Sequence, residues 1–452
     1  MIRALLRASL LSLPVSLVYA ARATEGDEAG IKDPNAECAS YGYAPVTNAI
    51  NAGQFPPIWT PATLLPNDAD ANAKWQSIQG SVPNIAPKGT NAGDFSGVHY
   101  TNDDPDCWWT FSKCTTSKKA GIAPDIAQMP EPQTLGYGFD DGPNCSHNAF
   151  YDFLTQQNQK ATMFYIGSNV MDFPLEAQRA ITDVTSFSNT DAFAELYYSV
   201  RIVPLPIFDD HRIKGYFGMR ANLGRTKIDE SHQAGHRCDT DLLEAYLLQP
   251  PFGDIDDRIR AIAQGLGLRT VIWKYDSDDW QFGTGNVTVA NIDANYQTLI
   301  TDAKNGKFAT AGTIILTHEL NNFTMSEAIK MYPQLKAAFK SIVPVGVGLN
   351  VSQPYQELNY TLPSFAQYTA GQTTLSADPA SISAAQAAKA TNTAASPASP
   401  LVASQANNPA SVGSTAPSTT PSVHKSGAEA LRLGGVPTIL LGFVGAVLLG
   451  SS

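Results

Sequence analysis

The chain has 452 residues, 43% of them hydrophobic and 16% charged, with 30 Lys and Arg against 41 Asp and Glu. That is ample material for a buried core in one large domain or two modest ones. A net charge of −11 argues against a nucleic-acid partner, because the chain has no surplus of cations to displace counterions from a polyanion. Neutral or cationic substrates stay open.

At the amino end, Arg3 and Arg7 precede an apolar run from Leu10 to Val18, and small residues follow at Ala20, Ala21 and Ala23. Residues 1–20 therefore read as a secretory signal peptide, cleaved after Ala20 or Ala23. The run is shorter than the ~20 residues a membrane span needs. Secretion places Cys38, Cys107, Cys114, Cys145 and Cys238 in an oxidising compartment where disulfides form. No two of them stand as Cys-x-x-Cys, so a zinc ribbon or thioredoxin-like motif is not expected. Residues 21–128 are rich in Pro, Asn, Gly and Asp, with Trp59, Trp75, Trp108 and Trp109 scattered among them. They read as a loop-rich region with a disulfide between Cys107 and Cys114.

From Leu135 the pattern changes to alternating strands and helices. Leu135 to Phe139 is strand-like, and Ser146 can cap a helix that carries Phe150, Phe153 and Leu154 on one face. Ala161–Ile166, Thr270–Trp273, Thr313–Thr317 and Ile342–Val345 read as further strands. Asp256–Leu266, Val289–Lys304 and Ser326–Phe339 read as helices. This rhythm over residues 129–346 predicts an α/β fold, a parallel β/α barrel with its chemistry at the carboxyl ends of the strands. Beyond it, residues 369–426 are rich in Ala, Ser, Thr and Pro and cannot bury a core, so they form a stalk. Ser426-Gly427-Ala428 and the apolar run Val436–Gly450 read as a GPI-attachment signal, with Ser426 the attachment site and 427–452 the propeptide. Asn-x-Ser/Thr triplets at Asn144, Asn286, Asn322, Asn350 and Asn359 fit a glycosylated eukaryotic surface protein.

The candidate chemistry lies at the predicted strand ends. Gly138-Phe139-Asp140-Asp141-Gly142-Pro143 sets two adjacent carboxylates on a turn, where one can hold a metal and the other act as base. Taken alone this is also ordinary turn chemistry. Pro250-Pro251-Phe252-Gly253-Asp254 is a rigid turn that can aim a backbone N–H at an oxyanion. Asp276-Ser277-Asp278-Asp279-Trp280 puts a carboxylate beside an aromatic sugar platform, and Thr313–Thr317 delivers His318 as a candidate general acid. A lone histidine is usually structural; four such motifs at successive strand ends are a pattern.

Phe139–Pro143, Pro250–Asp254, Asp279-Trp280 and Leu316-Thr317-His318 resemble motifs one, three, four and five of the NodB-like polysaccharide deacetylases, carbohydrate esterase family 4, and the anchored, sequon-rich setting is most similar to the fungal chitin deacetylases. The resemblance implies a distorted (β/α) barrel that hydrolyses N-acetyl groups on chitin with one divalent metal, zinc or else cobalt or manganese. It implies Asp140 as the base, Asp141 as a metal ligand, and the Phe252 N–H at the oxyanion. His318 would be the acid tuned by Asp279, with Trp280 lining the sugar groove and Leu316 the acetyl pocket. Chitin or chito-oligosaccharide would be the substrate, and the plasma membrane (through the GPI lipid) and the cell wall the surroundings.

Two departures stand out. The family's second motif, His-Ser/Thr-x-x-His, supplies two of three metal ligands, yet the chain runs Thr182-Asp183-Val184-Thr185-Ser186 with no histidine. The third motif opens with Gln249 in place of arginine. Residues 200–249 read as a mistranslated insert: Val200-Arg201 can be encoded as an intron start, Ala221-Asn222 as a branch point and Ile228-Asp229 as an intron end. Reading His232–Ala245 in the shifted frame restores the arginine and makes Cys238 an artefact. If the chain is read literally, His232 and His236 have the i, i+4 spacing of the missing pair, although they fall too late in the chain, and His211 has no motif around it. The competing function is a catalytically inactive, GPI-anchored relative that binds wall polysaccharide.

Overall fold

A computed structural model of the chain describes residues 22–53, 59, 66, 69–90, 93–180, 190–195, 247–351 and 362–373. Among the described residues, nine short strands carry the architecture: β1 (Thr134–Gly136), β2 (Gly138–Asp140), β3 (Thr162–Ile166), β4 (Thr190–Glu195), β5 (Leu247–Leu248), β6 (Arg269–Thr270), β7 (Tyr275–Asp276), β8 (Thr313–Leu316) and β9 (Ser341–Val343). They form sheets in the orders β7-β8-β1-β9, β2-β3-β4 and β5-β6, and all their pairings are parallel. A bridge from Asp140 to His318 joins the second sheet to the first, and a bridge from Ile126 to Val271 extends the third. This is the α/β fold with parallel strands that the strand–helix alternation predicts, with the described strands divided among three sheets.

The divisions have local causes. The expected strand Leu135–Phe139 is two strands, because the chain changes neighbours at Tyr137. There the N–H donates to the Val343 carbonyl while the Tyr137 carbonyl accepts from Thr162 N–H. β1 pairs with β8 and β9, whereas β2 pairs with β3, with Gly138 opposite Thr162 and Asp140 opposite Phe164. β3 is buried along its whole length, as expected of a parallel strand covered on both faces. The predicted strand Thr270–Trp273 is replaced by β6 and β7, with Val271 bridging to Ile126 between them.

The covering helices follow their apolar spacing. The helix Val289–Lys304 has the predicted bounds and buries Ile292, Tyr296, Leu299, Ile300 and Ala303 at three- and four-residue intervals. Its start is fixed where the Asn291 side chain accepts the Thr288 N–H at 2.9 Å. Leu299 is fully buried, so truncating it to alanine would cost about 2–5 kcal/mol. The helix Asp257–Gly265 is capped by Asp256, whose side chain accepts from the N–H groups of Arg258 and Ile259. The helix Asn322–Ala338 begins four residues before the predicted Ser326, because Asn321 caps it through the N–H groups of Phe323 and Thr324. Ser146 does not cap the helix Asn148–Gln156; its hydroxyl donates instead to the amide oxygens of Asn144 and Asn322.

The amino-terminal region is more ordered than its composition suggests. It holds helices at Glu25–Ala29, Pro34–Glu37, Ala44–Asn51, Ala69–Ile78 and Trp109–Ser112, each too short to show a sustained apolar period. Cys107 pairs with Cys114 as expected, and Cys38 pairs with Cys145 across a separation of 107 residues. Cys238, His211, His232, His236, Asn359 and Ser426 lie outside the described residues, as do the signal and anchor segments and the stalk beyond residue 373; Thr369, the first stalk residue, ends the helix Phe365–Thr369. No helix among the described residues is long and apolar enough to cross a membrane.

Candidate active site

The ends of β2 and β8 bring Asp140 and His318 side by side. Asp140 N–H donates to the Thr317 carbonyl at 2.9 Å, and the Asp140 carbonyl accepts from Glu319 N–H at 2.8 Å. Both residues are nearly sealed from solvent, at 3% and 7% exposure. Behind His318 lies Asp279, 1% exposed, with one carboxylate oxygen 2.6 Å from His318 Nδ1 and the other accepting the His318 N–H at 3.1 Å. Burial opposes charge on the imidazole, but Asp279, its hydrogen bond, and then Asp141 and Asp140 outweigh it, and the His318 pKa rises to about 10. His318 is therefore held as a charged proton donor at neutral pH.

Asp140 is shifted in the same direction, which for a base is the unfavourable one. Burial pushes its carboxyl well above the usual carboxylate range. His318 and the Gln249 hydrogen bond pull it back, while Asp141 and Asp279 push it further up. The Gln249 contact is direct: its side-chain N–H donates to Asp140 at 2.5 Å from a position 2% exposed. The substitution that breaks the motif at sequence level thus still orients the carboxylate, with one neutral donor where an arginine would bring charge and a fork of donors.

Asp141 sits in the left-handed backbone region, φ 67°, and its carbonyl accepts from Asn169 Nδ2 at 2.7 Å. Phe252 is also left-handed, at φ 59°, a conformation that costs a non-glycine residue about 1–3 kcal/mol. The next residue must be glycine, since a Cβ on Gly253 would stand 2.4 Å from the Trp109 ring. Asp254 then accepts from Trp108 Nε1 and Thr110 Oγ1, both at 2.7 Å. The amino-terminal region thereby shapes the third motif, a role that the scattered tryptophans did not announce. Trp280 is half-buried on the turn that begins with Asp279, and Leu316 is buried in β8 opposite Asp276. A cavity of about 530 Å³ lined by Tyr275, Asp302, Lys307 and Thr313 opens instead at the amino end of β8, away from the Asp140–His318 pair.

Of the expected glycan sites, Asn286, Asn322 and Asn350 are exposed, while Asn144 is half-buried with its side-chain N–H donating to the Leu320 carbonyl at 2.7 Å. Sequence reasoning missed Asn169, Trp108 and the orienting action of Gln249. All three act through hydrogen bonds that no local spacing encodes.

The donor set does not fit the expected metal. Among the described residues one group of His, Cys, Asp or Glu has its ligand atoms within 4.8 Å of one another, Asp104 with Cys107 and Cys114. Its two sulfurs are joined to each other in a disulfide. The described histidines are His99, His147 and His318, and none of them makes such a group with Asp141.

The family model for polysaccharide deacetylase matches residues 127–189. Chitin deacetylase 2 of Cryptococcus neoformans var. grubii is 43% identical over 379 residues, covering 80% of this chain and 75% of its own. The chain belongs to the polysaccharide deacetylases. Chitin deacetylase of Amylomyces rouxii is 38% identical over 345 residues, covering 72% of this chain and 73% of its own. The solved chitin deacetylase of Colletotrichum lindemuthianum matches with a TM-score of 0.37 at 18% identity, over 54% of this chain and 96% of that one; the assignment rests on the sequence relatives. Carbohydrate esterase family 4 deacetylases are metalloenzymes in general, which makes the missing ligands of this chain a point of chemistry.

Proposed function

We propose that the protein hydrolyses the N-acetyl groups of chitin or chito-oligosaccharides to chitosan and acetate, at the cell surface to which a signal peptide and a GPI lipid would deliver it. The reading is supported above all by one observation: Asp140 and His318 meet across strand ends with Asp279 buried behind the imidazole. That is the geometry of a carboxylate and an oriented proton donor flanking one reacting centre. In the proposed reaction His318 gives its proton to the departing amine, and Asp279 holds the ring through Nδ1 so that Nε2 faces the substrate. The Phe252 N–H would bind the oxyanion, Trp280 would stack on a sugar ring, and Leu316 would border the acetyl methyl.

The family's metal, which we propose to be zinc with cobalt or manganese as substitutes, would supply a Lewis acid and an activated water. Asp141 would be one ligand, but the described residues do not complete a site, and no step is derived through the ion. That deficit favours a second reading, a polysaccharide-binding relative without activity. Acetate release from chitin oligomers, with and without added zinc, separates the two. Release above background supports hydrolysis; background release with retained oligomer binding supports the second reading.

A further inference from the structure

Glu319 follows His318 in sequence and is fully buried. Its carboxylate accepts from Asn144 N–H at 2.9 Å, lies 2.9 Å from His147 Nδ1, and accepts from the Tyr151 hydroxyl at 2.7 Å. Its own N–H donates to the Asp140 carbonyl. One residue therefore grips the Asp140–Asn144 loop at both ends, by main chain at the first residue and by side chain at the last. The loop is shaped to admit it: a Cβ on Gly142 would stand 2.7 Å from Glu319 Oε2 and 2.7 Å from the Tyr165 ring. The glycine of the Asp-Asp-Gly-Pro turn is thus explained by the close approach of a carboxylate.

The far side of this grip is closed by the amino-terminal segment. His147 Nε2 faces Glu28 Oε2 at 4.0 Å. Asn148 N–H donates to Glu37 at 2.7 Å, and Asn148 Nδ2 donates to the Glu28 carbonyl and carboxylate. The Cys38–Cys145 disulfide pins the same segment beside Asn144.

We infer that Glu319 is a positioning residue, which fixes the loop carrying Asp140 and Asp141 against His318 through Asn144, His147 and Tyr151. The inference rests on the proposed deacetylation for its kinetic consequence, and on geometry alone for its structural one. A buried, multiply bonded carboxylate holds its partners more firmly than any apolar residue of the same size, and an error near 1 Å in the placement of reacting groups can cost on the order of 100-fold in rate.

The test uses the full chain with Glu319→Leu, Glu319→Gln and Tyr151→Phe. Leucine removes every acceptor; glutamine keeps an oxygen for Asn144 and His147; phenylalanine removes the hydroxyl that bonds Glu319 and Tyr165 without leaving a hole. In acetate release, Glu319→Leu is expected to lower kcat by roughly 10- to 100-fold with KM little changed, and Glu319→Gln to recover most of it. In hydrogen exchange, peptides spanning residues 140–146 should exchange faster in Glu319→Leu and Tyr151→Phe, with Val289–Lys304 unchanged. Unaltered kcat in Glu319→Leu, or a Gln variant as impaired as the Leu variant, overturns the inference. If the parent chain releases no acetate, the proposed function fails while the exchange experiment still decides: unchanged exchange at residues 140–146 overturns the clamp. If Glu319→Leu does not fold, Tyr151→Phe carries the same decision.

Discussion

Replacing Asp279 with asparagine removes the charge that holds His318 protonated while keeping the shape of the side chain. His318 is lifted from 6.5 to about 10, so at pH 7 its bound proton lies about three pH units inside the folded-state pKa. At 1.36 kcal/mol per unit this is on the order of 4 kcal/mol of folding free energy. Without Asp279 the burial that opposes the charged ring dominates, and the imidazole of the variant becomes neutral. A raised histidine pKa contributes stability that is fully present below about 6.5 and is lost as pH rises through about 10. The loss caused by Asp279→Asn should therefore be about 4 kcal/mol at pH 7 and shrink, above pH 10, toward the ~1 kcal/mol of an altered hydrogen bond. Urea unfolding of both proteins in chelator-treated buffer at several pH values measures this directly. A loss below ~1 kcal/mol at pH 7, or one that stays constant between pH 7 and 10.5, refutes the assignment of His318 as a charged donor held by Asp279.

Glu176 is fully buried, and burial raises its pKa from 4.5 to about 7 despite the Tyr41 hydrogen bond and the charge of His147; the Arg22 contact at 3.5 Å is too loose to keep it ionised. Folding favours its protonated form, so its contribution is complete below about 4.5 and is lost as pH rises through about 7, on the order of 3 kcal/mol. Thermal melts should show stability falling over that window, and Glu176→Gln should flatten the fall. Cys38→Ser should destabilise more than Cys107→Ser, since separations of 107 and 7 residues correspond to roughly 5 and 2 kcal/mol of unfolded-chain constraint; equal shifts in Tm would contradict this. The transcript across the codons for Asp183 to Asp254 should insert a His-Ser/Thr-x-x-His segment and restore an arginine before Pro250. A message that encodes the chain as it stands would leave polysaccharide binding without catalysis as the leading account.

The helix Val289–Lys304 was legible because its apolar residues recur at three- and four-residue intervals and its ends carry their own caps. The strands were legible as apolar runs, but the break at Tyr137 was not. It arises from a change of hydrogen-bonding neighbour, from Val343 on one side to Thr162 on the other, and each partner is remote in sequence. The same holds for the amino-terminal helices. Pro34–Glu37 is only four residues long, and what makes it part of the domain is Glu37 bonding to Asn148 and Cys38 bonding to Cys145. Composition registers such a segment as loop because its order comes from distant partners.

The site shows the same division, with a chemical consequence. Asp140, Asp279 and His318 were identifiable because short motifs carry them, and the fold places them at neighbouring strand ends. What the motifs do not give is the balance of protons between them. In the family pattern an arginine at position 249 would bring a second cation to Asp140 and favour its ionised form. Gln249 brings a hydrogen bond without charge, leaving His318 as the principal cation acting on a carboxyl that burial, Asp141 and Asp279 all push upward. Both members of the pair then favour their protonated forms, so the described site has a well-held acid and a reluctant base. Hydrolysis needs the base to be free. A cation beside Asp140, whether an arginine at 249 or a metal with its full set of ligands, would oppose that upward push and favour the ionised carboxylate that a base requires.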